Sequence, residues 1–220
     1  MSGSAFDLSF EALPPVIPIF PLTGVLLLPR GRLPLNIFEP RYLAMVSDAL
    51  AHPRLIGMVQ PREGKGDAGD PPVYTMGCAG RITGFGELDD GRYEITLAGV
   101  ARFAIVEELA LVKGYRPVRV DWSRFRGDLV PSSGGVDRDR LLAALKPYLK
   151  RHKVKTDWDA IAKTPDERLV TSLAMVCPFA ASEKQGLLEA EGLPARARLL
   201  TALLEMAGTS GTPERADVRH

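Results

Sequence analysis

The sequence is poor in the features that define several classes of protein. It has only two cysteines, Cys78 and Cys177, which are distant from each other and form no C-x-x-C pair. Neither a disulfide scaffold nor a cysteine-based zinc site is therefore indicated. The net charge of +1 gives no overall attraction for nucleic acid or for an anionic membrane. No apolar run approaches the roughly 20 residues of a membrane-spanning helix, and residues 1–13 lack the pattern of a signal peptide. We expect reduced, structural thiols in a cytoplasmic protein.

Recognisable catalytic and cofactor-binding motifs are also missing. The three histidines are isolated from one another and from the cysteines, so they form no metal-ligand cluster in the sequence. Gly64-Lys65-Gly66 lacks the spacing of a phosphate-binding loop, and no G-x-S-x-G nucleophile motif occurs. A serine–lysine dyad can form in space from distant residues, but neither Ser172 nor Lys184 has a sequence context that singles it out. The sequence predicts a protein that is not an enzyme and uses no cofactor or metal.

One basic run, KRHKVK at residues 150–155, is a candidate for nucleic-acid contact. A single-strand binder combines positive charge with aromatic side chains that stack on bases. Only Tyr148 lies close to the run, and lysines near the C-terminal end of a helix also complement the helix dipole. We interpret the run as a solvated helix end and keep nucleic-acid contact as the weaker alternative.

What the chain does have is a first part, residues 14–125, rich in short apolar runs cut by proline and glycine. Such runs are typical of strands, and residues 25–28 and 54–59 are two of them. A helix is predicted to begin at Pro40, because proline at the first helical position loses no useful N–H. Glu39, directly before it, suits the positive end of the helix.

A hairpin is the clearest local prediction. Asp89-Asp90-Gly91 separates the strands 81–88 and 92–108, and the glycine adopts a positive φ at little cost. Gly99 interrupts the apolar face of the second strand, which predicts a bulge or bend there. A long strand with a bend fits a closed or half-closed barrel better than a flat sheet.

The second part, residues 136–208, has helical periodicity and follows a polar linker at residues 126–135. Capping-box patterns at residues 156–159, 164–167 and 182–185 predict three helix starts. The polar termini, residues 1–13 and 209–220, are expected to be flexible. The chain is thus expected to hold a β-rich domain at residues 14–125 and a helical domain at residues 136–208.

Several segments together resemble the Lon N-terminal, or LON substrate-binding, domain family. They are residues 17–22 (IPIFPL), 33–42 (LPLNIFEPRY), 80–82 (GRI), 91–103 (GRYEITLAGVARF) and 184–189 (KQGLLE). The resemblance implies an α+β fold, in which a PUA-like β pseudo-barrel precedes a helical bundle. In full-length Lon proteases such a domain precedes an ATPase module and a serine–lysine peptidase. This chain ends before either could begin, so a freestanding member without those domains is expected.

The resemblance implies a function in holding unfolded or exposed polypeptide segments rather than cutting them. Two alternatives remain open: a PUA-like module that binds RNA, and an adaptor that docks on a Lon-type protease or associates with itself.

A receptor for unfolded chains needs accessible apolar side chains, preferably beside a sheet edge that can pair with an extended strand. Six residues are candidates for this surface: Leu33, Pro34, Leu35, Phe38, Met58 and Met76. Methionine suits the role because it adapts to varied partners, but each of the six could instead belong to the core. Glu39, Pro40, Arg41 and Tyr42 are predicted to be structural, with Arg41 paired to Glu39 or to a strand carbonyl.

Overall fold

The structure, a computed structural model, describes residues 9–51, 53–62, 71–154 and 156–209. Its strands precede all of its α-helices but one. The strands are β1 Val16–Pro21, β2 Arg32–Ile37, β3 Leu55–Val59, β4 Met76–Glu87, β5 Tyr93–Glu108 and β6 Arg116–Asp121. The α-helices are α1 Pro40–Ala51, α2 Arg138–Arg151, α3 Trp158–Lys163, α4 Asp166–Val176, α5 Ala181–Glu189 and α6 Gly192–Thr209. The predicted α+β class is confirmed.

Most of the sheet closes into a barrel. β1 pairs with β3 in parallel and with β6 antiparallel, while β4 pairs with β3 and along most of β5. β5 closes the ring by pairing its C-terminal half with β6, and its N-terminal half pairs with β2 instead. The predicted pseudo-barrel is therefore present, and β2 is attached to it outside the closed ring.

Two glycines shape the long hairpin as the sequence predicts. Gly91 has a φ of +81° in the turn between β4 and β5. Near Gly99 the register shifts, because Ala79 pairs with Ala101 but Gly80 pairs with Gly99. This leaves Val100 as the extra residue of a bulge. A Cβ atom on Gly99 would lie 2.0 Å from the carbonyl oxygen of Leu28, so the close approach of two backbone segments requires glycine here.

The predicted strand at residues 25–28 is wrong. These residues belong to no strand, although Leu26, Leu27 and Leu28 are all buried. A short apolar run shows only that a segment is buried, and it fits a buried loop as well as a strand. The segment leads directly into β2 and fixes where that strand begins.

Three predicted helix starts are shifted by one or two residues. At α3 the side chain of Asp157, not Thr156, accepts the N–H of Ala160. The hydroxyl of Thr164 bonds the end of α3, at the carbonyl of Ala160, rather than the start of α4. At α5 the carboxylate of Glu183 accepts the N–H of Ala180. At α3 two adjacent polar residues compete for one cap. The residues before α4 and α5, Pro165 and Ala180, offer no side-chain cap, so the packing of the helix decides where it begins.

Two hydrophobic cores divide the molecule differently from the two predicted domains. One core fills the barrel and includes Ile17, Ile19 and Phe103. The other begins on the outside of the barrel, at residues such as Leu28 and Ile37, and continues into all the longer C-terminal helices. The boundaries at residues 125 and 136 stay a prediction, since apolar packing is continuous across them. At the N-terminal boundary Leu13 is already buried.

A buried ion pair joins the barrel to the helices. Arg102 on β5 contacts both carboxylate oxygens of Asp128, at 2.8 Å each. Its guanidinium also donates to the carbonyl oxygens of Leu188 and Ala190 at the end of α5. One side chain of β5 thus satisfies acceptors from two other parts of the chain.

Candidate functional site

β2 is an edge strand. Among the described residues it pairs only with β5, in a register that runs from Arg32 opposite Ala98 to Ile37 opposite Tyr93. An edge strand leaves one row of backbone N–H and C=O groups without strand partners, and such a row can accept a further strand. The sheet therefore offers an open side along β2, in which Pro34 contributes no N–H.

The alternation of hydrogen-bonded and non-bonded residue pairs between β2 and β5 identifies which backbone groups of β2 face outward. Gly99 donates its N–H to the carbonyl oxygen of Gly31 at 2.8 Å. In an antiparallel ladder bonded and non-bonded positions alternate, so the N–H groups of Arg32 and Asn36 point away from β5. Pro34 lies between them, at a position where its missing N–H costs the ladder nothing. All three residues are exposed.

Four of the six predicted surface residues lie together on or beside this strand. Leu33 and Leu35 are half-buried and pack at the margin of the larger core. Pro34 is exposed, and the side chain of Phe38 is 65% exposed directly after the strand. Successive residues of a strand face opposite sides of the sheet, so Leu33 and Leu35 share one face and Pro34 lies on the other. With Phe38 these residues form the apolar strip that a partner strand on β2 would meet beside the backbone groups.

The two methionines lie elsewhere. Met58 on β3 is 3% exposed and belongs to the core, so its side chain cannot reach a ligand in this structure. Met76 pairs with Ala104, whereas β2 begins opposite Ala98 and runs away from Ala104 to Tyr93. Six residues of strand span about 20 Å, which separates Met76 from β2. The sequence could not show this separation, because it depends on which half of β5 pairs with β2 and which half pairs with the start of β4.

The residues after β2 orient α1. Pro40 is the first residue of that helix, and the carbonyl oxygen of Glu39 accepts the N–H groups of Tyr42 and Leu43. Arg41 Nε donates to Glu39 Oε2 at 3.0 Å, and the Arg41 guanidinium lies 4.7 Å from the centre of the Tyr42 ring. Tyr42 is buried, so the segment is tied into the fold.

A cleft at the start of β2 was not predicted. Its volume is about 570 Å3, and it lies between the barrel and one face of α4. Its barrel side consists of Arg30, Gly31, Arg32 and Ala98, and its helix side of Glu167, Arg168, Thr171, Ser172, Met175 and Val176. Residues of β2 and α4 are distant in sequence, and no motif connects them.

Arg30 is fixed at the rim of this cleft. Its backbone has a φ of 62°, in the left-handed region, and its N–H donates to the carbonyl of Gly99 at 2.8 Å. Its guanidinium donates to the carbonyl of Asp128 at 2.6 Å and pairs with Glu167. A non-glycine residue with positive φ is uncommon and is held here by these contacts.

The candidate serine–lysine dyad does not form. Lys184 Nζ donates to the carbonyl oxygens of Gly24 at 2.8 Å and Met175 at 3.2 Å. Burial lowers the pKa of Lys184, but within the described residues no hydrogen bond joins it to Ser172, which is exposed on α4. Lys184 holds a loop against two helices, which is a structural role.

A metal site depends on the positions of the histidines and of the other candidate metal ligands. His152 stacks on Tyr148 with 4.4 Å between ring centres, while His52 and His220 lie outside the described residues. The described ranges contain no group of three or more His, Cys, Asp or Glu side chains placed to hold a metal ion. Across the same ranges, no helix combines the length and apolar character needed to cross a membrane.

The basic run at residues 150–155 has a second aromatic neighbour, Trp158, besides Tyr148. Trp158 is 38% exposed, and Lys146 Nζ lies 5.6 Å from the centre of its ring. Lys146, Lys150 and Trp158 line one open depression on the surface. Lys155 lies outside the described residues. The tryptophan face is already occupied by a lysine, which reduces its value as a stacking platform.

Both cysteines are free and buried. Burial raises the pKa of Cys177 to about 11 and raises that of Cys78 further. Because thiolate is the reactive form, we expect neither thiol to react with Ellman's reagent in the native protein within minutes. Both should react at once in 6 M guanidinium chloride, and rapid reaction of a native thiol would contradict the buried positions.

A barrel with an open edge strand, a half-exposed apolar strip and an adjoining cleft defines a class of protein: a binding module built on a pseudo-barrel. Its side chains offer surface and hydrogen-bonding groups for a ligand. Lys184 and the two cysteines are buried in the packing of the fold.

Comparison with known proteins gives the family. The model of the ATP-dependent protease La (LON) substrate-binding domain matches residues 16–206, so the chain belongs to this family. Lon protease 2 of Myxococcus xanthus is 31% identical over 202 residues, which are 88% of this chain and 24% of that protein. Lon protease of Anaeromyxobacter dehalogenans is 26% identical over 198 residues, 88% of this chain and 23% of that protein. The chain spans about a quarter of the length of these relatives.

Solved structures agree with this assignment. The crystal structure of a Lon N-terminal domain protein from Xanthomonas campestris is 25% identical, with a TM-score of 0.58, and covers 86% of this chain and 96% of that one. The N-terminal domain of Mycobacterium avium complex Lon protease has the same TM-score at 17% identity and covers 86% of this chain and 97% of that one. The second likeness concerns the fold alone.

Proposed function

We propose that this chain binds unfolded or otherwise exposed polypeptide segments without cutting them, in protein quality control. The observation that carries the proposal is the open edge of β2, which joins outward backbone groups to a half-exposed apolar strip. Membership of a substrate-binding family supports it. Unfolded segments expose both unpaired backbone groups and apolar side chains, and strand addition satisfies the two together.

The proposed surface consists of Leu33, Pro34, Leu35 and Phe38, together with the outward N–H groups of Arg32 and Asn36. Backbone pairing would give affinity for many sequences, because every chain carries the same peptide groups. The apolar strip would favour segments that are normally buried in a folded protein. Two free, buried thiols fit a reducing compartment, and we propose the cytoplasm as the location.

The edge strand gives a sharp test with a matched pair of variants. Asn36→Pro removes an outward N–H and places a ring on the open side, while the bonds of β2 to β5 are kept. Asn36→Ala removes the side chain and keeps the N–H. With fluorescently labelled casein, we expect Asn36→Pro to weaken binding at least about tenfold, equivalent to about 1.4 kcal/mol. Asn36→Ala should stay within about twofold of the unchanged protein.

The control is a thermal unfolding curve for each variant, which shows whether the barrel is intact. No binding of casein by the unchanged protein at high micromolar concentration would contradict the proposal. So would equal binding by a folded Asn36→Pro variant. A gel shift with RNA that weakens steeply with salt would favour the nucleic-acid alternative. Co-purification with a Lon-type protease or self-association lost in Asn36→Pro would favour a protein partner at the same edge.

A further inference from the structure

We propose that the cleft at the start of β2 binds acidic side chains of the bound segment, so that the protein prefers extended polypeptides whose apolar residues are followed or preceded by Asp or Glu. This inference rests on the proposed function and names the substrate class. It concerns the cleft between residues 30–32 and α4, which adjoins the start of β2, whereas Phe38 lies just after the other end of that strand.

The position of the cleft is the first reason. Arg32 is both the first residue of β2 and part of the cleft wall. A strand added along Arg32–Ile37 therefore has one end at the cleft and the other beside Phe38. At about 3.3 Å per residue, a segment of six to eight residues reaches from one to the other.

Charge is the second reason. Three arginines and one glutamate are among the residues that line the cleft. Arg30 is already engaged with Glu167 and with the Asp128 carbonyl. Arg32 and Arg168 are exposed, and within the described ranges the side chain of neither makes a hydrogen bond, ion pair or ring contact. Since the whole chain carries only +1, this is a local excess of positive charge with two free guanidinium groups.

The chemistry of those groups selects the ligand. A guanidinium presents paired N–H donors that match the two oxygens of a carboxylate. The cleft is also lined by Met175 and Val176 of α4, and Val176 is 81% exposed. Methionine adapts to different apolar shapes. An acidic residue next to an apolar residue therefore finds both of its contacts in one place.

The test uses peptides with acetylated and amidated ends, so that only side chains carry charge. Each contains the same six-residue apolar, strand-forming segment with a pair of Glu or a pair of Gln attached. One set of peptides carries the pair before the segment and the other set carries it after the segment. In fluorescence anisotropy at 50 mM salt, we expect the Glu peptide of one order to bind about tenfold tighter than its Gln counterpart, since exposed ion pairs contribute factors of a few each. The advantage should shrink at 500 mM salt, where charges are screened over about 4 Å.

Two double variants separate the cleft from general charge. Arg32→Glu with Arg168→Glu should abolish or invert the preference for Glu. Arg124→Glu with Arg198→Glu makes the same change in net charge at exposed positions outside the cleft and should leave the preference unchanged. The readout is the ratio of Glu-peptide to Gln-peptide affinity within each protein. Binding of the Gln peptide by the Arg124→Glu with Arg198→Glu protein should stay within about threefold of the unchanged protein, because it depends on the β2 edge.

Equal affinity for Glu and Gln peptides would overturn this inference, while binding of casein that is sensitive to Asn36→Pro would still uphold the proposed function. Loss of the preference in the control double variant as well would also overturn it, because bulk charge would then explain it.

Discussion

Replacing Arg102 with methionine is expected to lower the free energy of unfolding by about 3–5 kcal/mol, the usual cost of removing one partner of a buried ion pair. The loss leaves the Asp128 carboxylate, which is only 11% exposed, without its guanidinium partner. It also removes the donor that the carbonyl oxygens of Leu188 and Ala190 share. Urea unfolding followed by circular dichroism measures the change. At a typical slope the midpoint should fall by roughly 1–3 M.

The matched control is Arg140→Met. Arg140 also contacts both oxygens of one carboxylate, that of Glu205, but this pair is exposed, with side chains 61% and 40% accessible. Exposed pairs contribute about 0–1 kcal/mol, so the midpoint should barely move. The double variant Arg102→Met with Asp128→Leu should recover part of the loss, because no unpaired charge remains. A loss below 1 kcal/mol for Arg102→Met alone would mean that the pair does not hold the two halves together.

Replacing Gly99 with alanine is expected to cost about 3 kcal/mol, at the upper end of the range for overpacking. The new Cβ atom would lie 2.0 Å from the Leu28 carbonyl oxygen and 2.8 Å from its carbon. These are backbone atoms, which cannot rotate away as a flexible side chain does. The segment before β2 must shift, and the hydrogen bonds of Gly99 with Arg30 and Gly31 weaken with it. Thermal unfolding should show a lower midpoint, and casein binding should weaken because β2 loses its anchor.

Gly86→Ala is the control for this change. Gly86 lies in the same hairpin, but a Cβ atom there meets nothing within 4 Å. Alanine at this exposed position should change the free energy of unfolding by less than about 0.5 kcal/mol. If Gly99→Ala were as stable as Gly86→Ala, a Cβ atom would fit at the bulge. That result would contradict the close contact between Gly99 and the Leu28 carbonyl.

Local features were predictable because they depend on neighbouring residues. The start of α1 at Pro40, the turn at Gly91 and the bulge beside Gly99 each follow from the backbone preferences of proline or glycine. Precise helix caps were less predictable. Thr156 and Asp157 both suit a cap, and Asp157 takes the position in the folded chain.

In the candidate site, too, the residues that are neighbours in sequence were predictable and the long-range contacts were not. Leu33, Pro34, Leu35 and Phe38 were predicted together because they are neighbours in sequence. Met58 and Met76 were grouped with them on residue type, and the sheet places Met58 in the core and Met76 at the start of β4, opposite Ala104. The cleft escaped prediction altogether, since its walls come from the start of β2 and from α4.

The sequence by itself determined the family, the β-then-α order and the turns, because motifs and local backbone preferences are written in adjacent residues. Only the tertiary structure decided that β2 is an edge, which of its N–H groups face outward, and that Arg32 and Arg168 share a cleft. Strand order and the meeting of distant segments depend on which long-range pairings bury the most apolar surface without leaving polar groups unpaired. No stretch of neighbouring residues contains that balance.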